Sequence, residues 1–270
     1  MRLGVVGAGA MGEAVIGGLI RDGHLGAESI VASTPREERR LELADRYGVR
    51  VTAGNVEAVT GADVVILAVK PQVLQRVLTE LAGRLPAGAL VFSIVAGASM
   101  QRIGETLGTR AVVRSMPNSP ASVGHGITVW THAPGVAPEQ LEQARTVLAA
   151  LGSEVFVEEE SYLDMATALS GTGPSYVFLF MEALVDAGVH LGFPRHLAEQ
   201  LVVQTVKGSV EFYLAQPNHL ARLRNQVTSP GGTSAEALYY LERARFRSSL
   251  SRAVWAAYQR SQALGKPAEE

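Results

Sequence analysis

Residues 227–236 combine a glycine turn, a helix start and hydroxyl side chains, a combination that could bind a small anion. Their sequence is Val-Thr-Ser-Pro-Gly-Gly-Thr-Ser-Ala-Glu. Thr233 and Glu236 have the spacing of a capping box, which predicts that a helix starts here. The first amides of a helix lack intrahelical partners and lie at the positive end of its dipole. The pattern predicts a nest of backbone donors for a carboxylate or phosphate, with the Ser234 hydroxyl just inside it. An ordinary capped turn between two helices is the alternative.

The N-terminal end of the chain contains a motif that favours the functional alternative. Gly7-Ala8-Gly9-Ala10-Met11-Gly12 lies between an apolar strand pattern at residues 3–6 and apolar residues at helical spacing. A dinucleotide site needs Gly-x-Gly-x-x-Gly in this position. The first glycine makes the tight turn, the second lets the backbone approach a pyrophosphate, and the third lets helix and strand pack closely. A tight turn without a ligand is the alternative, and the flanking strand and helix make it the less favoured one.

The end of the second predicted strand indicates which dinucleotide is bound. An NAD site has an acidic residue there to accept from the 2′-hydroxyl of the ribose. This chain has Ser33, Thr34 and Arg36 instead. Hydroxyl and guanidinium groups suit a 2′-phosphate, and no carboxylate is present to repel it. The sequence therefore favours NADPH, with NADH as the second choice. At least one of the arginines at positions 36, 39 and 40 is expected to lie on a solvated helix face.

Short apolar strands and helices alternate through the first half of the chain. This order predicts an α/β Rossmann domain with a parallel sheet and helices on both faces. Asn55 could cap the helix that follows the third strand. Ligands in such sheets bind beyond the carboxyl ends of the strands. Strands are predicted at residues 29–32, 49–52, 63–69, 89–93, 110–114, 127–130 and 154–157, and helices at 71–81 and 139–151. The loops predicted along the binding edge are residues 7–12, 33–34, 68–71, 94–97 and 116–120.

The second half of the chain is predicted to be helical. Strand patterns stop near residue 160, and the segment at 176–190 is apolar around so much of its circumference that it must be buried on several sides. So much apolar helical surface without a sheet is hard to bury in one subunit. The sequence therefore predicts a Rossmann domain at residues 1–158 and an all-α dimerisation domain at 159–270. A self-contained helical bundle is the alternative. Further helices are predicted at residues 194–214, 233–242 and 247–264.

Composition excludes several classes of function. The chain has 24 Lys and Arg residues against 26 Asp and Glu, which gives no support for binding to nucleic acid or to a membrane surface. The absence of cysteine excludes disulfides, thiolate catalysis and Cys-bound zinc, and the six histidines show no metal-ligand pairing. No apolar run approaches the length of a membrane span, and no signal-peptide pattern follows Met1. A soluble cytoplasmic protein without a metal is expected, with a frayed tail at residues 266–270.

Taken together, these motifs resemble those of pyrroline-5-carboxylate reductases over essentially the whole chain. The family implies a Rossmann domain, a helical dimerisation domain and an interlocked homodimer, which in some members forms a decamer of five dimers. It also implies reduction of pyrroline-5-carboxylate to proline. Ser234 and Ser119 stand where the family usually has threonine, so the hydroxyl is kept but the methyl that restricts its rotamer is lost. The resemblance rests on residues 7–12, 68–71, 114–120, 169–176, 186–188 and, most specifically, 227–238.

The motifs and the resemblance together predict the residues of the site. Ser234 is the predicted catalytic residue, since its hydroxyl would hydrogen-bond the ring nitrogen of the substrate while neighbouring amides hold the substrate carboxylate. The predicted substrate-binding residues are Ser229, Gly231, Gly232, Thr233 and Glu160. The predicted cofactor contacts are Gly7, Ala8, Gly9, Ala10, Met11, Gly12, Ser33, Thr34, Arg36, Asn55, Ala68, Val69, Lys70, Pro71, Val95, Ala96, Asn118 and Gln226.

Two other functions remain open at this stage. A β-hydroxyacid dehydrogenase has a similar layout, but it carries a lysine in the helical half with an asparagine four residues later. Here Lys207 is followed by Glu211, so that pattern is not met. The second alternative is a catalytically silent protein that senses NADPH on the same fold. The intact glycine pair at 231–232 and the Ser234 hydroxyl argue against it.

Overall fold

The computed structural model of the chain describes residues 1–265, which form two compact units. The first unit contains Met1–Gly173 together with residues 256–265, and the second is Pro174–Trp255. Glu160 and Asp164, which lie before the division at Gly173, pair with Arg114 on the sheet of the first unit. The tail expected to fray, residues 266–270, lies outside the described residues.

The first unit is built on one sheet of eight strands in the order β3-β2-β1-β4-β5-β6-β7-β8. Strands β1 to β6 are parallel, as the sequence predicts, but β7 runs antiparallel to β6, and β8 is parallel to β7. The predicted parallel sheet is thus confirmed for β1 to β6, and β7 is where the structure adds an antiparallel pairing. Only a short 3₁₀ turn, Ser119–Val123, separates β6 from β7, and a parallel return needs a longer crossover. The strands are β1 Leu3–Val6, β2 Ile30–Ser33, β3 Arg50–Thr52, β4 Val64–Leu67, β5 Leu90–Ser93, β6 Val112–Met116, β7 Gly126–His132 and β8 Gly152–Phe156.

Helices cover both faces of this sheet, which confirms the predicted Rossmann architecture. Val64 and Ile66 of β4 belong to one buried cluster, with side chains from α1, α2 and α6. Val65 and Leu67, which alternate with them, belong to a second cluster with side chains from α3, α4 and α5. A strand buried on both sides has no polar face, which explains its continuous apolar sequence. The helices are α1 Ala10–Arg21, α2 Glu37–Tyr47, α3 Asn55–Val59, α4 Pro71–Leu81, α5 Met100–Leu107, α6 Pro138–Ala149 and α7 Tyr162–Ala166.

The carboxyl ends of the parallel strands define a ligand-binding edge. The strand order reverses at β1, which lies between β2 and β4, and a crevice opens outside the sheet at such a point. Since β1 to β6 are parallel, the loops that follow five of them lie along this edge, as predicted from the sequence. These loops are residues 7–12, 33–34, 68–71, 94–97 and 116–120.

The second unit is all-helical and buries little of its apolar surface within one chain. Its buried cluster consists of Val185, Ala198 and Val202. Phe178 and Leu179, by contrast, are 63% and 66% exposed. Among the described residues, no helix is both long and apolar enough to cross a membrane. The helices are α8 Gly173–His190, α9 Arg195–Ala215, α10 Leu220–Gln226, α11 Thr233–Arg243 and α12 Phe246–Gly265, whose last part belongs to the first unit.

Candidate functional site

The three glycines of the Gly-x-Gly-x-x-Gly loop have three different environments. Gly7 has a φ of +94°, and a Cβ on it would lie 2.6 Å from Val69 Cγ1 and 2.8 Å from Ala68 O. A Cβ on Gly12 would lie 2.5 Å from Gly7 O, so close packing of α1 on the turn excludes any side chain. Gly9, at the N-cap of α1, has nothing within 4 Å of such a Cβ. The open space in front of α1 is thus where a pyrophosphate can approach the backbone.

Hydrogen bonds from β2 and α2 fix the conformation of the glycine loop. The amides of Gly7 and Ala8 both donate to Ser33 O, at 3.1 and 2.9 Å. Arg39 Nε donates to Ala8 O at 3.1 Å, and its terminal nitrogens pair with Glu13 and with Glu42. Arg39 was one of three arginines considered for a 2′-phosphate or for a solvated face. Instead it holds the loop, with only 12% of its side chain exposed.

Glu13, which belongs to no motif recognised in the sequence, is the centre of a polar cluster between α1 and α2. Its carboxylate accepts hydrogen bonds from Arg39, from Arg46 at 2.8 Å and from the Tyr47 hydroxyl at 2.9 Å. Burial raises the pKa of this carboxyl, but the hydrogen bonds from Arg39 and Tyr47 outweigh burial and hold the pKa below the ordinary 4.5. The Tyr47 hydroxyl has a raised pKa because of burial and its bond to Glu13. The ionised carboxylate therefore stabilises the fold around the glycine loop.

We expect Glu13→Gln to lower the free energy of unfolding at neutral pH by about 1–2 kcal/mol, which is the usual contribution of a hydrogen bond to a charged group. A carboxyl with a lowered pKa adds stability above its unfolded-state value, near 4.5, and that stability is lost as pH falls through the folded-state pKa. The difference between the two proteins should therefore shrink as pH falls below this value. Urea unfolding from neutral to acid pH measures it, with Glu38→Gln, at an exposed position of α2, as control. A difference that stays constant with pH would contradict the role of the charge.

Ser33 and Asn55 form a hydrogen-bonded chain at the carboxyl end of β2. Ser33 is fully buried, and its hydroxyl donates to Asn55 Oδ1 at 2.8 Å. Asn55 Nδ2 in turn donates to Glu80 Oε2 at 2.8 Å. The expected capping role of Asn55 is wrong, because Gly54 takes the N-cap position and α3 begins at Asn55 itself. Ser33 therefore orients Asn55 and does not present its own hydroxyl to solvent.

Arg36 is the guanidinium left available for a 2′-phosphate. It is exposed at the N-cap of α2, and no partner for it occurs among residues 1–265. Arg40 instead donates to Thr34 O at 2.8 Å and to Pro35 O at 3.0 Å, which supports the turn that carries Arg36. Thr34 itself is buried. No acidic residue follows β2 before Glu37, in agreement with the preference inferred from the sequence.

The remaining loops of the edge differ in what they offer a ligand. Lys70 is exposed at the N-cap of α4, directly before Pro71. Val95 is buried, and Ala96 is partly exposed. The Asn118 amide already has partners within the chain, since Oδ1 accepts from Ile127 N at 3.0 Å and Nδ2 donates to Ser170 O at 3.2 Å. Asn118 thus fixes the loop after β6 to the π-helical turn Thr167–Gly171.

Glu160, predicted to bind substrate, takes part in an ion-pair network of the first unit. Its Oε1 accepts from Met100 N at 2.8 Å and from Arg114 at 2.9 Å. Arg114, only 4% exposed, also donates to Asp164 Oδ1 at 3.2 Å. Asp164 Oδ1 accepts from the Ser261 hydroxyl at 2.9 Å. A single buried cation thereby joins β6, α5, α7 and α12, a role that no local sequence pattern indicated.

The turn before α11 differs from the predicted capping box. Gly232, not Thr233, is the N-cap, and no side chain caps the helix. Gly232 N donates to Ser229 O at 3.0 Å, and Gly231 has a φ of +70°, as expected for a type II turn with proline at its second position. The Pro-Gly-Gly sequence thus places Thr233 inside the helix, and Glu236 falls beyond the capping-box position. The box was a wrong prediction.

This turn changes which amides can bind an anion. Gly232 was predicted to bind substrate, but its amide closes the turn and is not available. The Thr233 and Ser234 amides open α11 and have no acceptor among the described residues. The Ser234 side chain is partly exposed beside them, and Ser229 and Gln226 are exposed. Two amides, a helix dipole and one hydroxyl could bind a carboxylate together with an adjacent polar atom.

No metal site accompanies these features in the part of the chain that the structure describes, since no three His, Cys, Asp or Glu side chains cluster there.

Comparison with known proteins assigns the chain to a family. Residues 160–264 match the family model for pyrroline-5-carboxylate reductase dimerisation, and residues 2–97 match that for NADP oxidoreductases, coenzyme F420-dependent. A pyrroline-5-carboxylate reductase from Synechocystis sp. is 45% identical over 98% of this chain and 99% of that protein, and one from Escherichia coli K12 is 35% identical over 98% of each. The crystal structure of Plasmodium falciparum pyrroline carboxylate reductase with NADP bound has a TM-score of 0.91 at 32% identity, covering 98% of both chains. This chain therefore belongs to the pyrroline-5-carboxylate reductase family.

Proposed function

We propose that the chain reduces L-1-pyrroline-5-carboxylate to L-proline with NADPH, the final step of proline biosynthesis. The observation that carries this proposal is the likeness to pyrroline-5-carboxylate reductases along almost the whole chain, with 45% identity to the one from Synechocystis sp.. It includes both the glycine loop at residues 7–12 and the Pro-Gly-Gly turn before α11. The proposed reaction is the addition of a hydride to the imine carbon and of a proton to the ring nitrogen.

The first unit fits a nicotinamide dinucleotide phosphate. The open space at Gly9 and the uncapped start of α1 suit the pyrophosphate, and Arg36 suits the 2′-phosphate. Asn55, oriented by Ser33, would contact the adenosine ribose, while Ala68 to Pro71 and Val95 to Ala96 would line the nicotinamide side. When bound, the cofactor supplies the hydride. The residues of this unit would bind and orient it, and backbone amides at the start of α1 would donate hydrogen bonds to the pyrophosphate.

The start of α11 is the proposed substrate site. The amides of Thr233 and Ser234, together with that of Gly231, would hold the substrate carboxylate, and the helix dipole would stabilise its charge. The Ser234 hydroxyl would hydrogen-bond the ring nitrogen of the protonated imine, which is the better hydride acceptor. In this proposal the proton comes from solution or through water. Orientation of the reacting atoms is then the main contribution, on the order of 7 kcal/mol of barrier lowering.

We expect Ser234→Ala to lower kcat/KM for pyrroline-5-carboxylate by about tenfold, the loss of one hydrogen bond to the reacting nitrogen. Ser234→Thr should match or exceed the unsubstituted protein, because the added methyl restricts the hydroxyl rotamer. The measurement is NADPH oxidation followed by absorbance, with Ser249→Ala on α12 as a control hydroxyl.

The outcomes of this experiment separate the alternatives. If the unsubstituted protein binds NADPH without turnover, the reductase assignment is wrong and the silent NADPH-sensing protein is the better assignment. Turnover that is unaffected in Ser234→Ala would keep the reaction and remove Ser234 from it. The β-hydroxyacid dehydrogenase has no support from the structure, since Lys207 is exposed on α9 and Glu211 follows it on the same helix.

The state of assembly and the location of the protein follow from the same assignment. The exposed apolar side chains of the second unit and the match to a dimerisation model support self-association. We propose a homodimer through residues 159–270, with a decamer of five dimers as a further state. A cytoplasmic location, where NADPH supports biosynthesis, completes the proposal. The domain boundary after residue 158 stays a prediction, and the dimerisation match that begins at residue 160 supports it.

A further inference from the structure

The loop after β5 contacts the C-terminal end of α12 backbone to backbone. Gly97 has a φ of +72°, and a Cβ on it would lie 2.7 Å from Gly265 N and 3.1 Å from Ser261 O. In the reverse direction, a Cβ on Gly265 would lie 2.5 Å from Gly97 O. Neither position has room for a side chain. The two glycines therefore let the end of α12 press directly on the loop that contains Val95 and Ala96.

Hydrogen bonds hold the end of α12 in this position. Ser261 is 1% exposed, and its hydroxyl donates to Asp164 Oδ1 at 2.9 Å. Asp164 is fixed in turn by Arg114, which rises from the neighbouring strand β6. Because both groups are largely removed from water, the Ser261 bond is not easily exchanged for a solvent bond. The last turns of α12 are thus attached to the ion-pair network of the sheet through the hydrogen bond from Ser261 to Asp164.

The same network holds the other end of the loop. Glu160, paired with Arg114, accepts the Met100 amide at the start of α5. The segment from β5 to α5 is therefore held at two points. Gly97 packs against the end of α12, and the Met100 amide donates a hydrogen bond to Glu160. Val95 and Ala96 lie at the start of this segment, on the edge where the cofactor is proposed to bind. Their position depends on residues far away in the sequence that need not touch any ligand.

We propose that Ser261 and Gly265 are positioning residues for the nicotinamide dinucleotide. They fix the loop after β5, so that cofactor affinity depends on the C-terminal end of α12. The proposal rests on the assignment of Val95 and Ala96 to the cofactor site in the proposed function. It extends that function to a part of the chain in which no site residue was predicted.

The test measures NADPH affinity in Gly265→Ala and Ser261→Ala. Alanine is compatible with the end of a helix, so Gly265→Ala changes little except its contact with Gly97 O. We expect the dissociation constant for NADPH to rise roughly five- to tenfold in Gly265→Ala and roughly two- to threefold in Ser261→Ala. The KM for pyrroline-5-carboxylate at saturating NADPH should remain within about twofold, a split that general loss of structure would not produce. Gln262→Ala, exposed on the same helical turn, is the matched control.

Binding is titrated without substrate, so the two proposals can fail separately. Unchanged NADPH affinity in both variants would overturn the positioning role and leave the reductase assignment intact. Equal losses in Gln262→Ala, or parallel changes in both KM values, would also overturn it. An unsubstituted protein that binds NADPH without turnover would contradict the reductase assignment alone. The absence of any NADPH binding would overturn both.

Discussion

Gly9→Ala should weaken NADPH binding by about a hundredfold without lowering thermal stability. Gly9 has φ −76° and ψ −164°, an extended conformation that alanine adopts without strain, and no atom lies within 4 Å of the added Cβ. The methyl group therefore fits the ligand-free protein. It projects into the space where a pyrophosphate would approach the backbone, and loss of one or two charge-assisted hydrogen bonds costs about 3 kcal/mol. Fluorescence titration with NADPH and a melting curve measure the two quantities.

Gly12→Ala, in the same loop, is expected to lower thermal stability, unlike Gly9→Ala. Its Cβ would lie 2.5 Å from Gly7 O, so α1 must move away from the turn and stability should fall. Loss of NADPH affinity in both variants, with loss of stability only in Gly12→Ala, would separate the ligand role of one glycine from the packing role of the other. A Gly9→Ala protein that binds NADPH normally would contradict the proposed pyrophosphate site.

Local patterns were sufficient to predict most of the elements. Helix α4 occupies residues 71–81 as predicted, because Pro71 favours the first helical position and apolar residues recur at helical spacing after it. The strands β4 and β5 were found because buried parallel strands are continuously apolar. Each of these signals lies within a dozen residues of the element it predicts.

The structure departs from the sequence-based expectations where local signals compete or where the length of a connection sets the direction of a strand. Thr233 and Glu236 have capping-box spacing, but the type II turn at Pro230 and Gly231 places the N-cap at Gly232, one residue before Thr233. Strand β7 has ordinary strand composition, and only the short connection from β6 gives its direction. Turn geometry and connection length therefore need to be weighed against motif spacing.

The polar networks around the site could not be predicted from the sequence at all. Arg39 and Glu13 are 26 residues apart, and Arg114 and Asp164 are 50 residues apart. Charged side chains at such separations meet only once the sheet has formed, and nothing in their own neighbourhood indicates the partner. These networks hold the loops that carry the predicted contacts, so the sequence showed which loops form the site but not what fixes their positions.

The largest loss of stability is expected at Arg114. Its side chain is 5% exposed, and it pairs with Glu160 and Asp164, whose side chains are 27% and 21% exposed. A buried ion pair is costly to form, but removing one partner leaves uncompensated charge, which costs about 3–5 kcal/mol. The carboxylates retain some contact with water, so the lower end of that range applies. Two carboxylates without their common cation would also repel each other across the space that Arg114 fills.

We therefore expect Arg114→Met to lower the free energy of unfolding by about 3 kcal/mol. Arg145→Met is the matched control, because Arg145 pairs with Glu142 at the same 2.9 Å distance but with both side chains more than half exposed. An exposed pair contributes about 1 kcal/mol or less. Urea unfolding at equal protein concentration measures both, since self-association shifts apparent stability. Adding Glu160→Gln and Asp164→Asn to Arg114→Met should recover part of the loss by removing the unpaired charges. Equal losses at Arg114 and Arg145 would show that burial does not set the strength of this network.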